Sequence, residues 1–263
     1  MLAIHGIPAF NDNYIWVFTQ DKLNEAYVVD PGDAEPVMHF LEKEKLDLKG
    51  IFLTHHHFDH SGGIQALKRV YPDLCVWGSE KSTLDQIDCF LSDNDVVEIS
   101  ESCHFRVIAI PGHTLDHICF YHENQRQPLA FVGDTLFAGG CGRIFEGSPR
   151  QMYNSLQKLA TLPPQTLIYC AHEYTRSNLE FACLVEPQNQ KLQTRLQTVI
   201  TKRQNQLPTV PSALLEELDT NPFLRCDQKE VIASALKQMN PVDKNLPKPE
   251  DIFATIRNWK DSA

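Results

Sequence analysis

Long apolar runs are missing from this sequence. Its 263 residues contain no run of about eighteen apolar residues, the length that a membrane-spanning helix needs, so we expect no membrane span. The opening residues, MLAIHGIPAFNDNYIW, also lack a basic stretch followed by an apolar one. That pattern marks a secretory signal peptide, so we expect none.

Closely spaced cysteine pairs are also missing. The eight cysteines are scattered, with no CxxC motif, and several lie within apolar runs such as LIYCAH. This distribution predicts reduced and mostly buried thiols rather than a disulfide framework. Because such thiols are typical of the cytosol and no export signal is expected, we predict a cytoplasmic protein.

Basic residues are scarce relative to acidic ones. The chain has 24 Lys and Arg against 34 Asp and Glu, a net charge of −10, which argues against a general nucleic-acid binder. Residues 1–173 hold 12 basic and 23 acidic residues, whereas residues 174–263 hold 12 and 11. A solvated acidic surface accounts for most of the excess in the first part, and bound divalent cations would offset some of it.

The distribution of apolar residues predicts an α/β fold in residues 1–173. Short apolar runs alternate there with turns and with segments whose apolar residues recur every three or four positions, a mixture typical of layered sheets and helices. The predicted strands are 14–19, 26–29, 50–54, 75–77, 105–110, 118–121, 130–132 and 166–169. The predicted helices are 35–45, 63–71 and 151–160.

The pattern changes after residue 173. Strand-like runs stop, and amphipathic segments are separated by breaks that contain proline, such as LPTVP and NLPKP. These features predict helices, over 178–184, 189–206, 212–218, 228–239 and 249–261. We therefore predict a second, mostly helical domain over residues 174–263.

The stretch THHHFDH, residues 54–60, is the strongest chemical signal in the chain. In an extended segment, alternate side chains point the same way, so His55 and His57 can bind one metal ion. Asp59 and His60 would come from the turn before the next helix and face a second ion. His56 points away from its neighbours, and we expect it to orient the loop or to pack rather than to bind metal.

Three further donors follow apolar runs in the same way. His113 follows FRVIAIPG, Asp134 follows LAFVG and His172 follows TLIYCA. Taken alone, each could be an ordinary structural residue. Loops at one edge of layered sheets can converge, however, and the combined donors suffice for two ions with an open catalytic position.

The chemistry of these donors indicates which metal is expected. With no thiolate required, zinc is the first expectation, and iron or manganese also suits imidazole and carboxylate ligands. Asp134 has two oxygens and could bridge both ions. His117, in HTLDH, is a candidate for a contact that orients a metal ligand without binding the metal. Cys141, in GGCGR, is expected to be a small buried thiol.

Several motifs together resemble the metallo-β-lactamase superfamily and, within it, bacterial members of the glyoxalase II (hydroxyacylglutathione hydrolase) family. They are THHHFDH, PGHT, GDTLF, GGCGRIFEG, CAHEYT and NPFLR, with IPAFNDNYIW and VVDPGDAEPV nearer the N-terminus. The match covers nearly the whole chain. It implies an αββα sandwich with two metals at one edge, followed by a helical C-terminal domain that helps to bind substrate.

The resemblance also implies roles for individual residues. The first metal would be held by His55, His57 and His113, the second by Asp59, His60 and His172, with Asp134 bridging. The substrate-binding residues would be Arg143, Tyr174, Arg257 and Lys260. Cations suit the glycine carboxylate of glutathione, and the last two residues share a helix face. A solvated basic helix end is the alternative for that pair.

The implied reaction is hydrolysis of the thioester S-D-lactoylglutathione to glutathione and D-lactate, the second step of methylglyoxal degradation. A water that bridges two metals loses its proton near neutral pH, and the hydroxide would attack the thioester carbonyl. Asp59 and His60 are the candidate catalytic residues, and Asp59 would position the hydroxide. The thiolate leaving group needs no strong acid. We expect a small-molecule substrate, no nucleic-acid or membrane partner, and a monomer.

Three other functions fit parts of the pattern. A nuclease of the same superfamily would need a basic surface, which this acidic chain lacks. A persulfide dioxygenase uses one iron on a similar scaffold and does not use the full second ligand set, to which Asp59 and His60 belong here. A non-enzymatic metal-binding module would not explain an open ligand set beside a substrate-binding domain.

Two positions depart from the family pattern. Asp116 stands where members often have glycine, so a carboxylate lies close to a metal loop, where it could tune the ligands or face solvent. Phe145 stands where the animal enzymes have tyrosine, and Arg143 where they have lysine. A hydrogen bond from residue 145 is therefore not available, and we expect the affinity for glutathione to differ.

Overall fold

The computed structural model describes residues 2–20, 24–239 and 247–263. The strands in chain order are β1 (Leu2–Ala9), β2 (Asn13–Gln20), β3 (Glu25–Val29), β4 (Asp47–Phe52), β5 (Cys75–Ser79), β6 (Cys89–Leu91), β7 (Val96–Ser100), β8 (Cys103–Ala109), β9 (Ile118–His122), β10 (Leu129–Gly133), β11 (Leu136–Phe137), β12 (Gly140–Cys141), β13 (Leu167–Cys170) and β14 (Ser212–Ala213). The helices are α1 (Ala34–Glu44), α2 (Phe58–Ser61), α3 (Ile64–Val70), α4 (Pro149–Ala160), α5 (Thr175–Val185), α6 (Gln190–Gln204), α7 (Leu214–Thr220), α8 (Lys229–Gln238) and α9 (Pro249–Ser262), with a 3-10 helix at Pro222–Leu224. Within these described ranges, every helix is too short or too polar to cross a bilayer.

The first sheet contains β1 to β6 in sequence order. Its first three strands are antiparallel, and β3 to β6 are parallel. Parallel neighbours need a crossover, and α1 and α3 supply two of them. The buried Val37, Leu41 and Leu67 of these helices pack with Val28 and Ile51 of the sheet, so one face of the sheet is covered by helices.

The second sheet has the strand order β14-β13-β10-β9-β8-β7. Its central strands β9 and β10 are buried along their whole length, so both faces of this sheet are covered. One face meets the first sheet through a cluster of aromatic rings whose centroids lie 4.8 to 5.9 Å apart. Phe18 and Phe52 come from the first sheet, and Phe105, Phe120 and Phe131 from the second. Each buried ring stabilises the sandwich by about 1.5–3 kcal/mol.

Helix α4 covers the outer face of the second sheet. Its Met152 and Leu156 are fully buried in the same apolar cluster, and its Ser155 hydroxyl donates to the Pro111 carbonyl, 2.7 Å away, just after β8. Ser148 caps this helix in a capping box with Gln151. The layers therefore run helix, sheet, sheet, helix, which confirms the predicted αββα sandwich.

Residues 174–263 are mostly helical in the described ranges, as predicted, and α9 packs on α4 with the Phe253 and Tyr153 rings 6.0 Å apart. One element differs from expectation, because strands do not stop at residue 173. β14 pairs antiparallel with β13 and extends the second sheet, so the predicted helix at 212–218 begins at Leu214 instead. A two-residue strand is too short to leave a periodic pattern, but it pairs backbone groups that an edge strand would expose. The division into domains at residues 173 and 174 stays a prediction.

The predicted strands and helices recur with ends shifted by a few residues. Six elements had no prediction, namely the eight-residue strand β1 and the shorter β6, β7, β11, β12 and α2. Strand β4 ends at Phe52, two residues before its predicted end, and His55 and His57 lie beyond it, as expected. The predicted NLPKP break begins among residues outside the described ranges.

Candidate metal centre and substrate pocket

The seven predicted metal donors lie at one edge of the sandwich. His55 and His57 occupy the loop after β4, and Asp59 and His60 lie on α2. The other three follow β8, β10 and β13 as predicted, and these are His113, Asp134 and His172. The structure therefore brings together donors that are up to 117 positions apart in the sequence.

Three histidines form the first group of donors. One ring nitrogen from each of His55, His57 and His113 lies within 4.8 Å of the others. Nε2 of His113 is 3.0 Å from Nδ1 of His57. Three nitrogens this close together suit the ligands of a single metal ion.

Asp59, His60 and His172 form the second group, with donor atoms again within 4.8 Å of one another. Oδ2 of Asp59 lies 3.5 Å from Nε2 of both histidines. Two nitrogens and an oxygen in this arrangement suit a second divalent ion.

Asp134 lies between the two groups. Its Oδ2 is 3.5 Å from Nε2 of His113 and 3.3 Å from Nε2 of His172. Its Oδ1 is 3.5 Å from Nε2 of His60. One carboxylate thus reaches donors of both groups, the geometry that a bridging ligand needs.

The buried polar atoms of the centre show that these residues fit a cation. Within the described part of the chain, Nε2 of His55, Nε2 of His60 and Oδ1 of Asp134 are buried and have no hydrogen-bond partner. Leaving such an atom unpaired costs about 1–3 kcal/mol. Coordination would satisfy all three, and a set of imidazole and carboxylate donors without thiolate suits zinc, iron or manganese.

A second layer of contacts orients the histidines. Nδ1 of His60 lies 3.0 Å from Oδ2 of Asp30, and Nδ1 of His172 lies 2.8 Å from Oδ1 of Asp12. Nδ1 of His113 donates to the Arg143 carbonyl, 2.8 Å away. In each ring the Nδ1 proton is fixed by its partner, so the lone pair of Nε2 faces the centre.

Sequence reasoning missed both Asp30 and Asp12. Asp30 sits in the DPGD turn, but it also follows β3 at the metal edge, and that position was a usable signal. It is buried, and it accepts hydrogen bonds from the Thr54 backbone at 2.8 Å and the Thr54 hydroxyl at 2.7 Å. Asp12 lies in the β1–β2 turn, 160 positions from His172, and no local pattern pointed to it.

Charge coupling in the centre favours a protonated His60 beside an ionised Asp134 when no metal is bound. Burial alone raises the pKa of Asp134, but His60 and His172 outweigh it and hold the pKa well below the usual value. Burial lowers the pKa of His60, but Asp134 and Asp30 outweigh that effect and raise it well above the usual value. A metal ion that binds Nε2 of His60 therefore displaces a proton, so we expect weaker binding in acid.

His117 and His56 lie next to the donors and make contacts around them. His117 accepts a hydrogen bond from the Asp134 backbone N–H at 3.0 Å, and its ring stacks on His55 at 4.5 Å. This is the supporting position expected for it. His56 is not part of either donor group described above, and its Nδ1 lies 2.9 Å from Oδ1 of Asp116. Asp116 is buried, so it does not face solvent.

A cavity of about 400 Å³ opens beside the centre. It is lined at one end by His113 and Asp134, and further along its wall by the four predicted substrate-binding residues, Arg143, Tyr174, Arg257 and Lys260. Three larger cavities, of about 880, 680 and 430 Å³, lie beside the β9–β10 turn, between α6 and α7, and between β8 and α4. None of the three is lined by a predicted site residue, so the cavity beside the centre is the candidate substrate pocket.

The cations of α9 are largely withdrawn from solvent. Arg257 is only 3% exposed, and it donates to the Cys141 carbonyl and to Oδ1 of Asp261, each at 2.9 Å. Lys260 donates to Oδ1 of Asn178. Burial, with Arg257 nearby, lowers the pKa of Lys260 to about 8. The alternative of a solvated basic helix end is therefore wrong.

Aromatic rings join the pocket wall to the metal donors. Tyr174 stacks flat on His172, with ring centroids 4.7 Å apart. Phe145 meets His57 and His113 edge-on, at 5.6 and 5.2 Å. Arg143 is mostly exposed, with its Nε 3.4 Å from Oδ1 of Asp261. A molecule in the pocket would thus touch rings that contact the metal donors.

Comparison with known families matches both parts of the chain. The model for the metallo-β-lactamase superfamily matches residues 10–82 and 93–172. The model for the hydroxyacylglutathione hydrolase C-terminus matches residues 173–263.

Curated relatives match over the full length. Proteins named hydroxyacylglutathione hydrolase from Chromohalobacter salexigens and Pseudomonas savastanoi pv. phaseolicola are 46% and 47% identical, each with 99% of both chains covered. The relative of the same name from Photobacterium profundum is 46% identical over 100% of both chains.

Solved structures share the fold at lower identity. ETHE1 from Myxococcus xanthus is 24% identical with a TM-score of 0.64, covering 99% of both chains. The BLEG-1 B3 metallo-β-lactamase is 23% identical with a TM-score of 0.64, covering 84% of this chain and 99% of its own. On the strength of the full-length relatives and both family models, the chain belongs to the hydroxyacylglutathione hydrolase family within the metallo-β-lactamase superfamily.

Proposed function

We propose that the protein hydrolyses the thioester S-D-lactoylglutathione to glutathione and D-lactate, as in methylglyoxal degradation. The observation that carries this proposal is the pocket of about 400 Å³, which runs from Asp134 and His113 to Arg257 and Lys260. A hydrolytic centre at one end and buried cations at the other suit a substrate with a reactive acyl group and a distant carboxylate. The names of the full-length relatives support the same reaction.

Two divalent metal ions form part of this proposal, with zinc as the first candidate and iron or manganese as others. His55, His57 and His113 would hold one ion, and Asp59, His60 and His172 the other, with Asp134 between them. When bound, such ions supply a hydroxide nucleophile near neutral pH and positive charge for a developing oxyanion.

Asp59 is the proposed positioning group for the nucleophile. Its carboxylate is held by Asn13, whose Nδ2 donates to Oδ2 at 3.0 Å, and its side chain is 42% exposed. It therefore combines a fixed orientation with access to solvent, so it can accept a hydrogen bond from the attacking water. The leaving group is a thiolate whose parent thiol has a pKa of about 8.5, so no general acid is required.

The cations of the pocket would bind the glycine carboxylate of glutathione. Arg257 offers a planar pair of donors, and Lys260 a point charge beside it. Tyr174 would contribute its hydroxyl and ring edge. Binding at this end fixes the thioester over the metal end, and such positioning is a main source of rate enhancement.

The proposal extends to the state of the protein in the cell. We expect a cytoplasmic monomer that acts on a small molecule, with neither nucleic acid nor membrane as partner. The eight cysteines are all unpaired thiols, which is consistent with a reducing compartment.

A hydrolysis assay on S-D-lactoylglutathione, followed by loss of thioester absorbance, tests the function, and elemental analysis of the same sample tests the metals. We expect turnover with about two ions per chain. Purified protein with full metal but no thioesterase activity would refute the proposal. RNA cleavage, or oxygen consumption on a glutathione persulfide with one iron per chain, would support the rival functions instead.

A further inference from the structure

Two loops carry the first group of donors, and a third loop orients one of them. Residues 54–60 hold His55 and His57, residues 112–117 hold His113, and residues 143–147 supply the carbonyl that orients His113. The last two loops are joined through their backbones. The N–H groups of Phe145 and Glu146 donate to the His113 carbonyl at 3.1 and 3.3 Å, so these loops form one unit.

Besides the direct contacts of His57 with His113 and Phe145, the loop with His55 and His57 is joined to this unit at two places. The first is a backbone bond at the strand end, where the Ile118 N–H donates to the Thr54 carbonyl at 2.9 Å. The second is the imidazole of His56, between the two donors. Its Nδ1 is 2.9 Å from Oδ1 of Asp116 and its Nε2 is 3.3 Å from Oε1 of Glu146.

Both carboxylates are themselves held. Oδ1 of Asp116 accepts from the Thr114 hydroxyl at 2.7 Å, and Asp116 is 4% exposed. Oε2 of Glu146 accepts from the Leu115 N–H at 2.8 Å. Because other hydrogen bonds already hold both carboxylates, their contacts with the His56 ring cost little further side-chain entropy and keep a defined geometry.

The backbone of His56 is fixed as well. The hydroxyl of Ser61 donates to the carbonyls of His56 and His57, at 3.0 and 2.9 Å. With its backbone and both ring nitrogens engaged, His56 cannot shift without moving His57.

We propose that His56, with Asp116 and Glu146, is a positioning bridge that sets the separation of His57 from His113 and thereby raises the affinity of the first metal group. The second group is oriented by different partners, Asp30 and Asp12. The effect of the bridge is therefore selective. It concerns metal binding alone and holds whichever thioester is the substrate.

The test is a Zn²⁺ titration of metal-free protein against a chromophoric chelator. The anomalous signal of crystals grown with one equivalent of zinc assigns each step to a group. We expect His56→Ala and Asp116→Ala each to weaken zinc at the first group by about 10-fold, the lower end of the range for such outer contacts. The second group should change by less than about 2-fold. The double variant should be no weaker than either single one, because both remove the same bridge.

Two further variants separate positioning from general damage. His56→Asn keeps a donor near the Nδ1 position and should recover most of the affinity lost in His56→Ala. His39→Ala, an exposed histidine on α1, should bind zinc as the unaltered chain does. Thermal unfolding of each metal-free variant checks that it is folded.

Three results would overturn the bridge. One is an equal loss of affinity at both groups, which would indicate general destabilisation. Another is His56→Asn binding no better than His56→Ala. The third is a tightly bound third zinc equivalent that disappears in His56→Ala, which would make His56, Asp116 and Glu146 a metal site of their own.

Discussion

The two ends of the pocket differ in how their side chains are held by hydrogen bonds. At the metal end, the histidines are held by partners that do not compete with a ligand, since Asp30 and Asp12 contact Nδ1 while Nε2 faces the centre. At the cation end, the partners occupy the groups that a substrate would use. Asp261 contacts both Arg257 and Arg143, and Lys260 donates to Asn178.

This difference separates two kinds of effect. The metal end is organised before any substrate arrives, so damage there should change metal content and kcat. The cation end must exchange internal partners for a carboxylate, so changes there should alter KM while leaving the metals in place. Variants at each end test whether the two kinds of effect are separate.

The largest effect is expected at Asp134, the carboxylate proposed to bridge the two ions. Because Asp134 contacts donors of both groups, Asp134→Ala should lose at least one of the two ions and leave activity close to background. Elemental analysis and the thioester assay on one sample measure both. Asp85→Ala, at an exposed site, is the control. Two ions retained by Asp134→Ala would contradict the bridging role.

Removing a residue that orients a metal donor should have a smaller effect than removing the donor itself. Asp30→Asn keeps an acceptor for Thr54 but removes the charge beside Nδ1 of His60. We expect the affinity for the second ion to fall by about 10- to 100-fold, as for other outer partners of metal-binding histidines. Chelator competition measures it, with the exposed Asp73→Asn as control. An unchanged affinity would show that the charge of Asp30 serves the Thr54 loop alone.

These two residues also mark how far the sequence could predict the site. Asp134 was predictable because it follows a strand, as do His113 and His172, and strand ends converge at one edge. Asp30 follows a strand as well, but its DPGD setting is equally typical of a turn. The seven donors could be placed from local pattern, whereas the hydrogen bonds that fix the tautomers of the histidines could not.

The remaining gaps in the prediction have a common cause. Asp12 reaches His172 across 160 positions, and β14 joins β13 across more than forty. Neither contact depends on a periodic pattern within its own segment. Both arise from how the layers pack, and a single sequence read locally carries no signal for such contacts. The αββα order was predictable because long amphipathic helices and buried strands leave a periodic pattern in their own segments.

A moderate effect is expected from pH at the cation end. The pKa of Lys260 is lowered to about 8, so its ammonium is charged below that pH and neutral above it. Binding of a substrate carboxylate should weaken as pH rises through about 8, which lowers kcat/KM by up to roughly 10-fold, or about 1.4 kcal/mol. The kcat should change little.

Lys260→Arg is the matched variant for this pH effect, because arginine stays charged throughout the range. Its kcat/KM should be flat where that of the unaltered chain falls. Steady-state kinetics from about pH 7 to 9, with metal content checked at each pH, measures both. An identical fall in the two proteins would assign the titration to another group, such as the metal end, and would weaken the comparison.

The smallest effect is expected at an aromatic ring of the pocket wall that lies beside the metal donors. Phe145 lines the pocket, meets His57 and His113 edge-on and is 63% exposed. Phe145→Tyr adds a hydroxyl to the pocket wall without moving the ring. A net hydrogen bond of about 0.5–1.5 kcal/mol should lower KM by roughly 2- to 10-fold, with kcat and metal content unchanged. Phe90→Tyr, on the exposed edge strand β6, is the matched control and should change neither constant. If Phe145→Tyr altered kcat or metal content instead, this residue would belong with the metal donors that it touches, and the boundary between the two ends would lie further along the pocket.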